Sequence, residues 1–327
     1  MKRTVTIIGT TALAALCLAA CAGRSAGSGN ASASETPPAE ARQAEKAEAG
    51  DAFPYPAIPD TLTDPEARRA CLLEHYWSRY DFTDTLLLAD RAVTEQGFVD
   101  FIALMGAPAD TPLRERSFEG LCSRLEGAGD EAIAAFSALA DDYLYQPNSP
   151  MHDEALYEVW LRRMARSRTV EEHWRQSFAF KLRIVARNRP GEVAADFGYV
   201  LPDGRRSSLH ATPVRGDRLV VLFYDPECGT CSEVTERMLA DKLLKEALEA
   251  GRCSLLAVYT ENSEEAWRKS SGRFPRTWTV ANDRGAVRDG LLYDLKAMPT
   301  LYLLDAKKRV VLKDASFDAI RARIGTE

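Results

Sequence analysis

The feature that most constrains the fold is a buried strand that runs directly into two cysteines and then into a helix. Residues 220–234 read VVLFYDPECGTCSEV. The apolar start of this stretch is typical of a strand covered on both faces of a parallel sheet. Apolar residues then recur at helical spacing after Cys231, which predicts one helix that ends near Gly251. Cys228 therefore lies where a strand gives way to a helix, an arrangement typical of α/β proteins.

The rest of the C-terminal part continues this alternation of strands and helices. Asp203-Gly204 is a strong hairpin turn signal between two short extended runs. Further predicted elements are a buried strand at 253–260, a helix at 263–271 with Ser263 as N-cap, an antiparallel hairpin of strands at 300–305 and 309–314, and a closing helix at 317–325. We therefore predict a small α/β domain at residues 189–327, with a central mixed sheet flanked by helices.

Residues 53–188 have a helical period instead. Asp64 is a plausible N-cap for the first helix, because Pro65 follows at the first helical position. The tryptophans of this region fall on apolar helical stripes and are expected to be core rather than ligand contacts; they are Trp77, Trp160 and Trp174. Other helical patterns lie at 89–105, 112–125, 129–145, 151–167 and 169–187. We predict an all-helical domain of unknown role ahead of the α/β domain.

The first twenty residues have the build of a secretory signal. Lys2 and Arg3 precede a short uncharged apolar stretch that ends in LAAC, residues 18–21. This ending resembles the lipobox of bacterial lipoproteins, in which the leader is cut before the cysteine and Cys21 becomes acylated. Cleavage as an ordinary signal peptide, leaving Cys21 as a stray thiol, is the alternative.

The next segment, residues 21–52, is dominated by Ala, Ser, Gly, Glu and Pro. Such a composition cannot bury enough apolar surface to offset its ordering entropy, so we expect a disordered linker. The resemblance to lipoproteins implies that the chain is anchored to a lipid membrane in the cell envelope. Ala22 stands where many inner-membrane lipoproteins carry aspartate, which favours the outer membrane, facing the periplasm.

The formal net charge is −6, with both signs interspersed along the chain. No basic face is evident, so nucleic acid is not an expected partner. No segment after the leader is long and apolar enough to suggest a membrane span. Nothing in the sequence points to a cofactor.

The two cysteines suit thiol–disulfide exchange, which needs a thiolate and a second thiol within reach. Cys228 should face the N-terminus of the helix, where backbone N–H groups and the helix dipole stabilise negative charge. Cys231 lies one turn into the helix and should be less exposed. We therefore assign Cys228 as the attacking residue and Cys231 as the resolving one, with Gly229 permitting the tight turn between strand and helix.

The stretch LFYDPECGTC, followed by MPTLYLLD, resembles the active-site half of the thioredoxin-like superfamily. In that superfamily the matching proline is cis and lies beside the dithiol, which implies that role for Pro299. The resemblance also implies substrate contacts at Met298, Thr300, Gly229 and Thr230. The hairpin at 195–209 resembles the extracytoplasmic branch typified by TlpA and ResA, many of which are membrane-tethered disulfide reductases.

The helical region resembles an uncharacterised domain found ahead of thioredoxin domains in Bacteroidota lipoproteins. That likeness implies no activity.

Two residues depart from the thioredoxin pattern. Glu227 precedes the first cysteine where many relatives have tryptophan, and its carboxylate should oppose a low thiol pKa. Leu222 occupies the place of the buried aspartate of thioredoxin. A proton-shuttling carboxylate would have to come from elsewhere; Asp225, Glu233 and Glu236 are candidates, although each is expected to be a solvated surface charge.

Three other interpretations of the CxxC motif fit the sequence less well. A structural disulfide would close a very small loop and stabilise little. Zinc usually needs four Cys or His ligands, yet a second CxxC is absent and every histidine precedes Cys228; these are His75, His152, His173 and His210. Peroxiredoxins need Thr at the position that Asp225 occupies. No metal site is therefore expected.

The remaining cysteines suggest structural roles. Cys71 and Cys122 lie on predicted helices, and in an oxidising compartment they could form a disulfide or remain as two buried thiols. Cys253 opens a core strand and is expected to be inert packing.

The sequence therefore predicts a membrane-tethered thiol–disulfide oxidoreductase that acts on protein disulfides of the cell envelope, with an unidentified electron donor. Glu227 favours a reductant over an oxidant, because strong oxidants need a strongly stabilised thiolate. The alternative is an envelope binding protein, in which the helical domain binds a partner and the thioredoxin-like domain is a scaffold.

Overall fold

The computed structural model describes residues 52–106, 111–261 and 263–325. The predicted leader, Cys21 and nearly all of the predicted linker lie outside the described residues. The helical and the α/β parts belong to one compact unit. Within the described ranges, no helix is long and apolar enough to cross a membrane.

The N-terminal part is helical, as predicted. Asp64 caps the first helix by accepting a hydrogen bond from the backbone N–H of Ala67, with Pro65 as the first helical residue. The elements are α1 (Pro65–His75), α2 (Thr85–Ala89), α3 (Thr94–Met105), α4 (Thr111–Leu125), α5 (Asp130–Ala140), a π-helical turn (Asp141–Tyr145), α6 (Glu154–Arg166) and α7 (Glu172–Val185). Their apolar faces form one core, in which Trp77 and Trp160 are buried and against which Trp174 packs. The core role predicted for these tryptophans is confirmed.

The C-terminal part is a mixed sheet flanked by helices, which confirms the predicted fold class. Its elements are β1 (Gly198–Val200), β2 (Arg206–Ser208), β3 (Arg218–Tyr224), α8 (Gly229–Ala240), α9 (Lys242–Glu249), β4 (Cys253–Tyr259), α10 (Glu264–Ser271), β5 (Thr279–Asn282), α11 (Ala286–Asp289), β6 (Thr300–Asp305), β7 (Val310–Leu312) and α12 (Phe317–Ile324).

The strand order among the described residues is β2-β1-β5-β4-β3-β6-β7. Strand β3 lies near the centre, parallel to β4 and antiparallel to β6. It is covered by apolar side chains on both faces, because alternate residues point into two separate core clusters. Its C-terminal end therefore projects the CxxC motif from a rigid, fully packed strand.

Two predicted details are wrong. The helix predicted from Cys231 to Gly251 is two helices, because Asp241 is extended and caps α9 by accepting from the backbone N–H of Leu244 at 2.7 Å. Strand β5 was not predicted at all, yet it joins the β1–β2 hairpin to the rest of the sheet through the pair Val200–Asn282.

Candidate functional site

Cys228 lies at the junction between β3 and α8, as its N-cap residue. Its Sγ accepts a hydrogen bond from the backbone N–H of Cys231 at 3.5 Å. On its other side, the Cys228 thiol lies 3.7 Å from the carbonyl oxygen of Met298. The sulfur therefore faces the positive end of the helix, and because Cys228 is only partly buried, it remains accessible to a second sulfur.

Cys231 is placed differently, because α8 carries it inward. Cys231 is only 1 % exposed, and burial raises the pKa of its thiol to about 12. The backbone N–H of Asp225 donates to its Sγ at 3.4 Å. Cys228 is thus the more accessible of the two, as an attacking thiol must be, and Cys231 is the buried one, as suits a resolving thiol.

The cis-proline segment completes this site. The Met298–Pro299 peptide bond is cis, as the resemblance implied. Thr300 begins β6, where it pairs with Phe223 of β3, and its hydroxyl donates to the Ala297 carbonyl at 2.5 Å. The antiparallel pairing of β3 and β6 therefore brings residues 70 positions apart to the same end of the sheet.

The two residues that depart from the thioredoxin pattern lie on β3 and on the loop between β3 and α8. Leu222 is fully buried in the sheet, whereas Glu227 is exposed and donates its backbone N–H to the Asp225 carboxylate at 3.0 Å. Glu233 and Glu236 are exposed on α8. Of the three candidate proton carriers, Asp225 is the one bonded directly to the Cys231 sulfur through its backbone.

A groove runs along the cis-proline segment next to Cys228. Helix α8 forms one side of this groove, and the loop before α12 forms another. A loop of the helical part closes the third side. Representative lining residues are Thr230, Met298, Pro299, Phe317, Pro147 and Asn148. The expected substrate-contact residues Thr230, Met298 and Thr300 line it, whereas Gly229 does not.

Sequence reasoning missed a buried cluster of charges directly behind this groove. Lys296 Nζ lies 2.8 Å from Glu154 Oε2, 3.0 Å from Asp314 Oδ2 and 3.7 Å from Asp294 Oδ2. Lys313 Nζ also donates to Glu154, at 2.5 Å. The side chains of Lys296 and Asp314 are 2 % and 3 % exposed. Sequence alone gives no signal for this cluster, because Glu154 and Lys313 are 159 residues apart.

Asp314 is the least well accommodated member of this cluster. Burial raises its pKa to about 6, although the Lys296 ammonium opposes that rise. Neither carboxylate oxygen has an aligned hydrogen bond, so the contact with Lys296 is an ion pair only. Asp314 also lines the groove.

The other described cysteines are free thiols. The candidate disulfide between Cys71 and Cys122 is therefore not formed. Cys122 is fully buried in the helical core, where burial raises its pKa, while Cys71 is half-exposed on α1. Cys253 is buried in the sheet core. Among the described residues, no cluster of three or more His, Cys, Asp or Glu side chains is placed to hold a metal ion.

This sheet, with its CxxC motif at a helix N-terminus facing a cis-proline, defines a thioredoxin-like protein. A thioredoxin-like protein from Bacteroides caccae is 32 % identical over 83 % of this chain and 97 % of its own, with a TM-score of 0.71. The chain belongs to this thioredoxin-like family.

Other comparisons concern parts of the chain. Residues 28–188 match a domain of unknown function, DUF5106. The C-terminal domain of an uncharacterised protein from Bacteroides fragilis is 32 % identical over 42 % of this chain and 99 % of its own, with a TM-score of 0.40. The thioredoxin domain of a thiol-disulfide oxidoreductase from Bacteroides vulgatus is 22 % identical over 42 % of this chain and 95 % of its own, with a TM-score of 0.37. No curated protein matches the chain.

Proposed function

We propose that the protein is a thiol–disulfide oxidoreductase that reduces disulfides of other proteins through Cys228 and Cys231. One observation supports this most directly. The Cys228 sulfur lies between the N–H of Cys231 and the carbonyl of Met298, and Met298 lines the groove. A thiolate there is stabilised by the helix N-terminus and can meet a client sulfur that lies along the cis-proline segment.

The reaction has two exchange steps. The Cys228 thiolate attacks one sulfur of the client disulfide, forming a mixed disulfide and releasing the other client sulfur as a thiolate. Cys231 then loses its proton and attacks Cys228 Sγ, which closes the Cys228–Cys231 disulfide and releases the second client thiolate. Two electrons pass to the client, and the protein needs a dithiol reductant to regenerate it.

The high pKa of Cys231, about 12, bears on this second step. A buried thiol stays protonated in the resting enzyme, so Cys228 alone is reactive until a client is bound. The proton of Cys231 must then leave by way of a nearby acceptor. Asp225 is half-buried, and its backbone N–H donates to the Cys231 sulfur, so we propose its carboxylate as this acceptor.

In this proposal the chain works in the cell envelope, held by acylated Cys21 on the outer membrane and facing the periplasm. The LAAC leader ending and Ala22 support this location. Glu227 supports the direction, because an acidic neighbour disfavours the strongly stabilised thiolate of an oxidant. We expect a potential nearer about −270 mV than about −120 mV, and a measured value above roughly −150 mV would contradict the reductant assignment.

The decisive experiment compares insulin reduction by the native chain and by Cys228→Ser, with dithiothreitol as the electron donor. We expect the native chain to accelerate the reaction and Cys228→Ser to be indistinguishable from the donor alone. Serine is close to cysteine in size and is a favoured N-cap residue that can accept the Cys231 N–H bond, so we expect the variant to fold. Equal activity of the two proteins would refute the proposal.

Mixed-disulfide trapping separates this function from a binding role of the helical part. In Cys231→Ala the resolving thiol is absent, so client proteins should remain bonded to Cys228 as adducts that disappear on reduction. Adducts recovered from the membrane fraction of whole cells would also support the proposed location. A variant that forms no adducts there would favour a binding protein with an inactive scaffold.

A further inference from the structure

The helical part is attached to the segment that leads into the cis-proline. Tyr145, at the end of the π-helical turn, donates its hydroxyl to Asp294 Oδ1 at 2.7 Å. Lys296 Nζ lies 4.5 Å from the centre of the Tyr145 ring, and its ammonium donates to Glu154 at 2.8 Å. Residues 294 and 296 therefore each contact the helical part immediately before Met298.

The two residues of the helical part that make these contacts, Tyr145 and Glu154, flank one loop, residues 146–153. Within it, the N–H of Ser149 donates to the Gln146 carbonyl at 3.0 Å, and the N–H of His152 donates to the Ser149 carbonyl at 3.1 Å. The N–H of Asp153 closes the loop on the Leu144 carbonyl at 3.0 Å. Both ends of the loop are thus fixed to residues 294–296, just before the cis-proline, and backbone hydrogen bonds within the loop hold its interior.

This loop carries Pro147 and Asn148 to the wall of the groove opposite α8. Pro147 is half-buried and Asn148 is exposed at the rim. The two charged residues that line the groove are each paired, since Arg237 contacts Asp318 and Asp314 contacts Lys296. The groove therefore offers a client apolar contacts and the side-chain amide of Asn148. Neither of these two ion pairs leaves an unpaired charge in it.

We infer that the 146–153 loop of the helical part is a specificity element, which with the cis-proline segment holds an extended, uncharged stretch of client chain beside the client disulfide. The inference rests on the proposed oxidoreductase function. A protein client that lies along the cis-proline segment next to Cys228 would contact the groove walls formed by Asn148 and by α8. A small disulfide reaches the half-buried Cys228 sulfur without touching the loop. The helical part thereby contributes to client choice without taking part in the chemistry.

The test uses the full-length chain in detergent and the variant Asn148→Trp. The reduced dithiol is mixed with insulin or with a small aromatic disulfide, and the second-order rate constant for each is measured. The indole should fill the groove, so we expect the insulin rate to fall about tenfold, which corresponds to about 1.4 kcal/mol. The rate with the small disulfide should stay within a factor of two, which also shows that the dithiol is folded.

Ser177→Trp serves as the matched control, because Ser177 is exposed on α7 and does not line the groove. It should leave both rates unchanged. The inference is overturned if Asn148→Trp keeps the native ratio of the two rate constants, whether both stay constant or both fall together. The proposed function fails in a different way, namely if the native chain reduces neither disulfide.

Discussion

Replacing Asp314 with asparagine should stabilise the protein at neutral pH, and the gain should disappear in acid. Asparagine has the shape of the protonated carboxyl group, so it keeps the packing and removes the buried charge. The cluster would then hold Lys296 and Lys313 against Glu154 and Asp294, two positive and two negative groups. Lys296 would retain its 2.8 Å bond to Glu154.

The magnitude follows from the pKa of Asp314, which rises from 3.8 to about 6 in the folded protein. Below about pH 4 the carboxyl is protonated in both the folded and the unfolded state and has no effect. Between pH 4 and 6 the unfolded state releases the proton first, so the free energy of unfolding falls as the pH rises. A shift of about two pH units at about 1.4 kcal/mol each amounts to about 3 kcal/mol above pH 6.

The assay is urea unfolding of the native chain and of Asp314→Asn at pH 4, 5, 6 and 7. We expect the difference in free energy of unfolding to grow from near zero at pH 4 towards about 3 kcal/mol at pH 7. Asp142→Asn, which removes an exposed carboxylate from the helical part, should show no such growth. A difference that is constant across this range, or a loss of stability at pH 7, would refute the reasoning about Asp314.

Two further predictions concern other features of the fold. In the reduced protein, iodoacetamide should alkylate Cys228 at least about tenfold faster than Cys231, because Cys231 is 1 % exposed and its pKa is about 12. Peptide mass spectrometry measures the labelling of each cysteine. Equal labelling of the two would contradict the assigned roles. Gly216→Ala should destabilise by more than about 2 kcal/mol, because Gly216 has φ +62° and its Cβ would lie 2.1 Å from the Arg252 carbonyl oxygen. Gly120→Ala is the matched helical control: nothing lies within 4 Å of its Cβ, and thermal unfolding should show a gain of roughly 0.5–1 kcal/mol.

The strand, the dithiol and the helix that follows could be predicted because each depends on residues close in sequence. A continuous apolar run marks β3, and the position of Cys228 at its end follows from chain order. The cis bond before Pro299 came from the resemblance rather than from any local signal. Its distance from Cys228 depends on the pairing of β3 with β6, which the sequence did not specify.

The errors have physical causes. The apolar period does not show the break at Asp241, because Leu243 and Leu244 continue that period across it, although Asp241 is a favoured N-cap residue. Strand β5 has only four residues, too few for a periodic pattern. Its edge is covered by the β1–β2 hairpin, a tertiary contact that the local sequence does not encode.

The charge cluster could not be predicted at all. Lys296, Asp314 and Glu154 each look like ordinary surface residues in sequence, because Lys, Asp and Glu usually are. They are buried where the helical part contacts the segment that leads to the cis-proline. The loop that lines the groove was unpredictable for the same reason.

The attachment of Tyr145 and Glu154 to residues 294–296 matters for any attempt to divide this chain. A fragment that begins at residue 189 would keep both cysteines and the cis-proline, yet it would expose Lys296 and Asp314 to water. Water would then solvate both charges, and the loop that leads to Met298 would lose its contacts with Tyr145 and Glu154. If the proposed function holds, we expect such a fragment to differ from the full chain in its acid sensitivity and in its choice of client disulfide. The helical part therefore acts as a structural support for the segment that carries the cis-proline.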